Sequence, residues 1–303
     1  MEVYSKKNKR TIFSFFKSLS GLLKCKFETF FLKNTRLCRW GINTQDRELK
    51  IIVSLTSFPG RIGYVHKCVK TLLNQTLKPD HLFLVLAEEQ FPKMEEGLPK
   101  ELVRLKQYGL ELVWTEDIKS YKKLVPIYKT WKDHIIVTAD DDNYYGRNWL
   151  KKLYNGYLEY PDCIQCNVVT KFDFDKDDNL FWVPGGSAFH PYPSYKNKLV
   201  GCGGVLYPPR ALYRDVCNDE RFMSLAPTND DLWFWFMAIL SNTRVRVIKH
   251  FDAWNKEIKG TVQTGLTIIN DNGEQLFLMQ LKKLLFNYPE VIEKMRREGK
   301  DEF

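Results

Sequence analysis

The chain has 303 residues, of which 44% are hydrophobic and 27% charged. That composition excludes a disordered chain or a bundle of membrane spans and leaves ample material for one large domain or two modest ones. The formal charge is +9, yet residues 1–40 alone hold ten Lys or Arg against Glu2 and Glu28; the near-neutral remainder argues against a general nucleic-acid-binding surface. Seven cysteines, an odd number without framework spacing, fit a reduced, cytosolic setting. Cys163-Ile-Gln-Cys166 is a single pair and supplies too few ligands for a closed metal site.

Within residues 11–33, Ile12, Phe16, Leu19, Leu23, Phe27 and Phe30 draw one helical stripe, with Lys17, Lys24, Lys26 and Lys33 between them. The lysines interrupt any run of the roughly 18 apolar residues a spanning helix needs, and no small-residue cleavage site follows. A basic amphipathic helix of this kind suits an anionic membrane surface; packing on its own protein or on a second copy in a homo-oligomer is the alternative. Residues 41–48 read as a polar linker.

From Leu49 the pattern changes to α/β. Strands are predicted at 50–56, 81–87, 110–114 and 134–139, with helical segments at 65–73, 98–107 and 121–131 between them. Such alternation implies βαβ units and a mostly parallel sheet. A helix at 149–160 and a strand at 163–170 follow. Residues 171–193, aromatic with Gly185-Gly186 and several prolines, suggest a binding loop. A helix at 229–240, a strand at 244–248 and helices at 274–286 and 289–298 complete the chain.

The strand at 134–139 ends in Asp140-Asp141-Asp142. Three adjacent carboxylates repel one another and need a cation, ordered water or backbone N–H groups to stay ionised together. A solvated acidic turn is the plainer reading, but ligands in open α/β sheets bind beyond the carboxyl ends of the strands, where these residues fall. Downstream, Asp230-Asp231 open the apolar helix LWFWFMAIL, where acidic residues are favoured by capping and the helix dipole alone. Trp233 and Trp235 flank the pair and either stack on a sugar or pack in the core.

A Ser/Thr-ended first strand, a parallel half-sheet, the aspartate triplet after the fourth strand, Gly201-Cys202-Gly203-Gly204 and then Asn229-Asp230-Asp231 come in a recognisable order. Over residues 49–270 the chain resembles nucleotide-sugar glycosyltransferases of the GT-A fold, near the family-2-like group that builds bacterial surface polysaccharides. The resemblance implies an α/β domain with a Rossmann-like nucleotide-binding half and a mixed central sheet. Residues 1–48, with the amphipathic helix, precede it, and the C-terminal helices of 271–303 follow. It further implies Mn²⁺ or Mg²⁺ bridging the aspartates and the donor diphosphate, which suits hard carboxylate oxygens. Asp142 and Asp140 map onto metal-ligand positions, Asp140 and Asp141 onto donor contacts, and His250 onto a late histidine that completes some such sites. Thr56, Ser57 and Arg61 map onto the nucleotide cradle, where Arg61 could fork onto a phosphate. Lys123 is a phosphate candidate, with a solvated helix face as the competing account. Gly203 and Gly204 would approach the donor sugar or form a tight turn. Asp231, or else Asp230, maps onto the general base.

The expected activity is therefore a metal-dependent, inverting hexosyltransferase. It would move sugar from a nucleotide-sugar to a lipid-linked or glycan acceptor at the cytoplasmic membrane face. A non-catalytic nucleotide-sugar or carbohydrate-binding protein and a sugar nucleotidyltransferase are the alternatives.

Overall fold

The computed structural model describes residues 2–5, 41–183, 188–248, 256–258, 260 and 274–298. The amphipathic stripe of residues 11–33 and His250 lie outside them. In chain order the elements are β1 (Val3–Ser5), β2 (Ile51–Thr56), α1 (Ile62–Leu73), β3 (His81–Ala87), α2 (Lys100–Val103), β4 (Leu110–Thr115) and α3 (Val125–Trp131). Next come β5 (Ile135–Thr138), β6 (Asn143–Tyr144), α4 (Trp149–Glu159), β7 (Ile164–Cys166), β8 (Val169–Phe174), β9 (Leu180–Val183), β10 (Asn197–Leu199) and β11 (Val205–Tyr207). The remainder are α5 (Asp219–Leu225), α6 (Asp230–Leu240), β12 (Val245–Val247), β13 (Lys256–Glu257), α7 (Glu274–Asn287) and α8 (Glu290–Arg297).

Seven strands form the central sheet in the order β12-β7-β11-β5-β2-β3-β4. β2, β3, β4 and β5 pair in parallel, as do β7 and β12, while β11 runs antiparallel between β5 and β7. The parallel strands are apolar almost throughout because both faces are covered: in β2 Ile51 through Leu55 are all buried. Alternate residues supply the two cores, with Ile52, Val85 and Ile136 facing one and Val53, Leu84 and Val137 the other. The chain proceeds from β2 outward to β3 and β4, then returns to place β5 on the other side of β2. The gap between β2 and β5 is thus the topological switch point.

α6 is apolar around its whole circumference, and Leu232 through Leu240 are all buried. Trp233 and Trp235 are fully buried, with indole N–H groups donating to Val216 O at 3.2 Å and Tyr195 O at 2.8 Å. They are core residues, which removes the sugar-stacking alternative.

Residues 171–183 also depart from the expected loop, while Gly185-Gly186 lie outside the described residues. β8 and β9 pair as an antiparallel hairpin in a second sheet, β1-β9-β8-β10, and Val3–Ser5 forms its parallel edge against Leu180–Trp182. Phe172, Leu180 and Trp182 of the hairpin face the core that also holds α6, so these three side chains are structural. Residues 41–48 are docked rather than loose: the Arg47 guanidinium meets Asp80 at 2.7 Å, and Asp80 also accepts the Ile51 N–H at 2.6 Å. Among the described residues no helix is long and apolar enough to cross a membrane.

Candidate active site

The loops after β2 and β5 meet at the switch point. Asp141 is buried there, accepting from the Ser57 hydroxyl at 2.6 Å and from Arg61 at 2.7 Å, while the same guanidinium reaches Asp142 at 2.8 Å. Burial pushes the Asp141 carboxyl up even against the pull of Arg61. Arg61 therefore already holds two of the three aspartates, and Ser57 fastens the two loops together. The Thr56 hydroxyl donates to Val85 O at 2.7 Å, tying the end of β2 to β3.

Asp140 turns the other way. Its backbone N–H donates to the Tyr145 hydroxyl at 2.8 Å, and its carboxylate meets Lys123 Nζ at 3.0 Å. Lys123 also lies 3.0 Å from Asp230 Oδ2 and 3.9 Å from Asp231 Oδ1. It is only 6% exposed, which excludes the solvated helix face. Burial alone would lower its pKa, but Asp140, Asp230 and Asp231 outweigh that and hold the ammonium well above the ordinary lysine range. Lys122 is buried as well and pairs with Asp117.

At the start of α6 the cap is neither aspartate. The Asn229 side chain accepts the Leu232 N–H at 3.0 Å, so the N-terminal cap is already supplied. Asp230 Oδ1 accepts from the Ser120 hydroxyl at 2.8 Å, and Asp231 Oδ2 from the Gly201 N–H at 2.9 Å. Asp231 Oδ1 is buried without a hydrogen-bond partner. Burial raises the Asp231 pKa and Asp230 adds to this, while Lys123 and Lys198 pull it down.

The glycine that sequence reasoning missed is Gly201. A Cβ there would lie 2.8 Å from Lys123 Nζ and 2.9 Å from Asp231 Oδ1, so any larger residue would push the tips of these two side chains out of their present positions. Gly203 and Gly204 lie against Asn167 and Trp149. Gly203 O accepts from Trp149 Nε1 at 2.9 Å and Asn167 Nδ2 at 2.8 Å, and Gly204 has φ +86° with the Trp149 ring 2.4 Å from an added Cβ. Gly204→Ala is expected to lose about 1–3 kcal/mol through overpacking and left-handed backbone strain, read as a lowered denaturant midpoint. An unchanged midpoint would show that Trp149 moves aside freely. No signal in the sequence distinguishes Gly201 from its neighbours, since the distinction depends on which carboxylate each one faces.

Asp140 and Asp142 are chemically suited to a divalent cation; Lys123 meets one oxygen of Asp140 and Arg61 one oxygen of Asp142, so a cation there would share these carboxylates with the two basic side chains. Among the described residues no three His, Cys, Asp or Glu side chains are grouped as metal ligands. Cys166 is buried and its thiol is pushed up to about 12, against a thiolate role.

No family model and no curated protein matches the sequence. Among solved structures, a mannosyltransferase, PcManGT from Pyrobaculum calidifontis in complex with GDP-Man and Mn²⁺, is 10% identical; the match covers 93% of this chain and 79% of that one, with a TM-score of 0.51. TarS residues 1–349 from S. aureus is 14% identical over 84% of this chain and 76% of that one, with a TM-score of 0.47. The mixed, mostly parallel sheet with its helices, ordered about a switch point between β2 and β5, is the α/β architecture of GT-A-like glycosyltransferases.

Proposed function

We propose that this protein is a nucleotide-sugar-dependent glycosyltransferase, with a GT-A domain over residues 49–270, acting on a lipid-linked or glycan acceptor. The observation that carries this reading is the meeting of Asp140, beyond β5, with Asp230 and Asp231, at the start of α6, around the single buried ammonium of Lys123. It joins the donor end of the parallel half-sheet to a carboxylate suited to proton abstraction.

In this mechanism Asp231 is the base. Its pKa is raised, which makes it a better proton acceptor than an ordinary carboxylate, and Oδ1 has no donor to satisfy it. The acceptor hydroxyl gives its proton to Asp231 as its oxygen bonds to the anomeric carbon, and the bond from that carbon to the diphosphate oxygen breaks. A single in-line displacement by the acceptor oxygen, with no covalent enzyme intermediate, implies inversion. Gly201 N–H holds Asp231 Oδ2, leaving Oδ1 for the acceptor. Lys123 fixes the three carboxylates relative to one another, while Ser57 and Arg61 keep the loops of the nucleotide half together.

Mn²⁺ or Mg²⁺ is the cofactor that carboxylate ligands suit; bound by Asp142 and Asp140, with His250 as a further candidate, it would neutralise charge on the departing diphosphate. The test is calorimetric titration of the full chain with UDP-, GDP- and CMP-sugars, with and without Mn²⁺, followed by analysis of the released nucleotide. We expect one nucleotide-sugar to bind, more tightly with metal, and to yield nucleoside phosphate only when acceptor is present. Binding with no turnover across acceptors would make it a binding protein, and pyrophosphate release would make it a nucleotidyltransferase.

A further inference from the structure

Lys198 is a buried cation that the mechanism above leaves unused and, unlike Lys122, it has no carboxylate paired with it among the described residues. It sits on β10 with only 5% exposure, and its ammonium donates to Leu199 O at 3.2 Å and lies 5.9 Å from the centre of the Phe277 ring on α7. No described carboxylate comes within 4.0 Å of it. Lys123, by contrast, has three carboxylates within that distance. Among the described residues this buried ammonium has one carbonyl and one aromatic face and no carboxylate paired with it directly, so most of its donor capacity is unmet.

Its position gives that deficit a direction. Lys198 is three residues before Gly201, the residue that holds Asp231, and Asp231 is the carboxylate that acts on it most strongly. It approaches from the β1-β9-β8-β10 sheet. The nucleotide half contributes Ser57, Arg61 and Asp140–Asp142 at the ends of β2 and β5. The neighbouring Asp231 Oδ1 also has no hydrogen-bond partner. A base with an open oxygen and a buried cation with unmet donors therefore belong to one cluster, joined through the short backbone from Lys198 to Gly201.

We propose that Lys198 is an acceptor-specificity residue that pairs with an anionic oxygen group, a carboxylate or a phosphate, carried by the acceptor next to the hydroxyl that Asp231 deprotonates. The proposal rests on the transferase reading for the role of Asp231, but the anion site itself does not need turnover. It makes the acceptor an acidic sugar or a phosphate-bearing molecule instead of a neutral glycan, because an anion both neutralises Lys198 and fixes the hydroxyl relative to the base.

The experiment is isothermal titration of the full chain, without nucleotide and again with UDP or GDP present, using two matched pairs of probes. The first is methyl glucuronide against methyl glucoside, and the second is glycerol 1-phosphate against glycerol. Wild type is expected to bind at least one acid about tenfold more tightly than its neutral counterpart, within the range measured for desolvated charge pairs. Lys198→Met should reduce that acid to the affinity of the neutral probe, and Lys198→Arg should keep most of the preference. The pair showing the difference identifies carboxylate or phosphate. Equal affinity within both pairs, absence of binding included, overturns the proposal, as does a preference that survives Lys198→Met. A loss of UDP or GDP binding in Lys198→Met with acid binding intact would move the residue to the donor side and also overturn it. Lys198→Met should melt no lower than wild type, since it removes an under-compensated charge. If nucleotide-sugars neither bind nor react while the acid preference holds, the transferase reading fails and the anion site stands.

Discussion

Asp231→Asn is expected to lower the rate of sugar transfer by about 10²–10⁴-fold while leaving the affinity for nucleotide-sugar within a factor of a few, the range typical of losing a general base. The amide keeps an oxygen that can accept the Gly201 N–H, now held by Asp231 Oδ2 at 2.9 Å, so the local backbone has no reason to move. It cannot take a proton. Stability should move the other way from activity. Burial raises the Asp231 pKa in the folded state, so the ionised carboxylate is a burden on the fold: the contribution is favourable below the unfolded carboxylate pKa and is lost as pH rises through the folded one. At neutral pH the neutral amide removes that burden, and the variant should melt at or above the wild-type temperature. For wild type, activity needs the ionised form, so the acid limb of kcat should lie above the range of an ordinary carboxylate. Measured kcat, donor affinity and melting temperature together decide the matter. A variant with wild-type kcat would transfer the base role to Asp230 or to neither.

Much of this arrangement could be read in the residues, for identifiable reasons. Ile51 to Thr56, His81 to Ala87 and Ile135 to Thr138 are strands covered on both faces, so the sequence shows them as continuous apolar runs bounded by polar residues. The second sheet was hidden because its strands are three to six residues long, and its β9–β8 pair is built from aromatics that alternate irregularly with charge. Its edge, Val3–Ser5, pairs with residues more than 170 positions away, and nothing local records such a partner. The acidic positions were legible as types but not as partnerships. Asp140, Asp141 and Asp142 look equivalent in sequence, yet the first faces Lys123 and the other two face Arg61. Lys123 reads as a phosphate contact or part of a solvated helix face, whereas its burial rests on carboxylates from two distant segments, Asp140 and Asp230-Asp231.

Lys123→Met should be the most destabilising single change in the site. Removing one partner from a buried ion cluster leaves the others uncompensated, typically at 3–5 kcal/mol; here Asp140 and Asp230 at 3.0 Å and Asp231 at 3.9 Å all lose their counter-charge. Calorimetry should show a fall in melting temperature on the order of 10 °C, from roughly 2–4 °C per kcal/mol. The pH dependence separates charge loss from a mere packing defect. Without the ammonium, the buried Asp231 carboxyl, already raised by burial, is raised further, so the destabilisation is greatest where it is ionised and fades as pH falls and it is protonated. The gap between variant and wild type should therefore narrow on acidification from neutral pH. In wild type the sign at high pH follows from Lys123 itself. Its folded pKa is raised well above that of a free lysine, so its contribution is complete below the unfolded lysine pKa and is lost only as pH climbs through the folded value. Lys123→Arg should not rescue the protein. Gly201 leaves so little space that a single Cβ would lie 2.8 Å from Nζ, and a planar guanidinium is larger than the compact ammonium that three converging carboxylates enclose. A gap that stays constant with pH, or full rescue by arginine, would mean that Lys123 acts by filling volume, and the carboxylates around it would then need another source of balance.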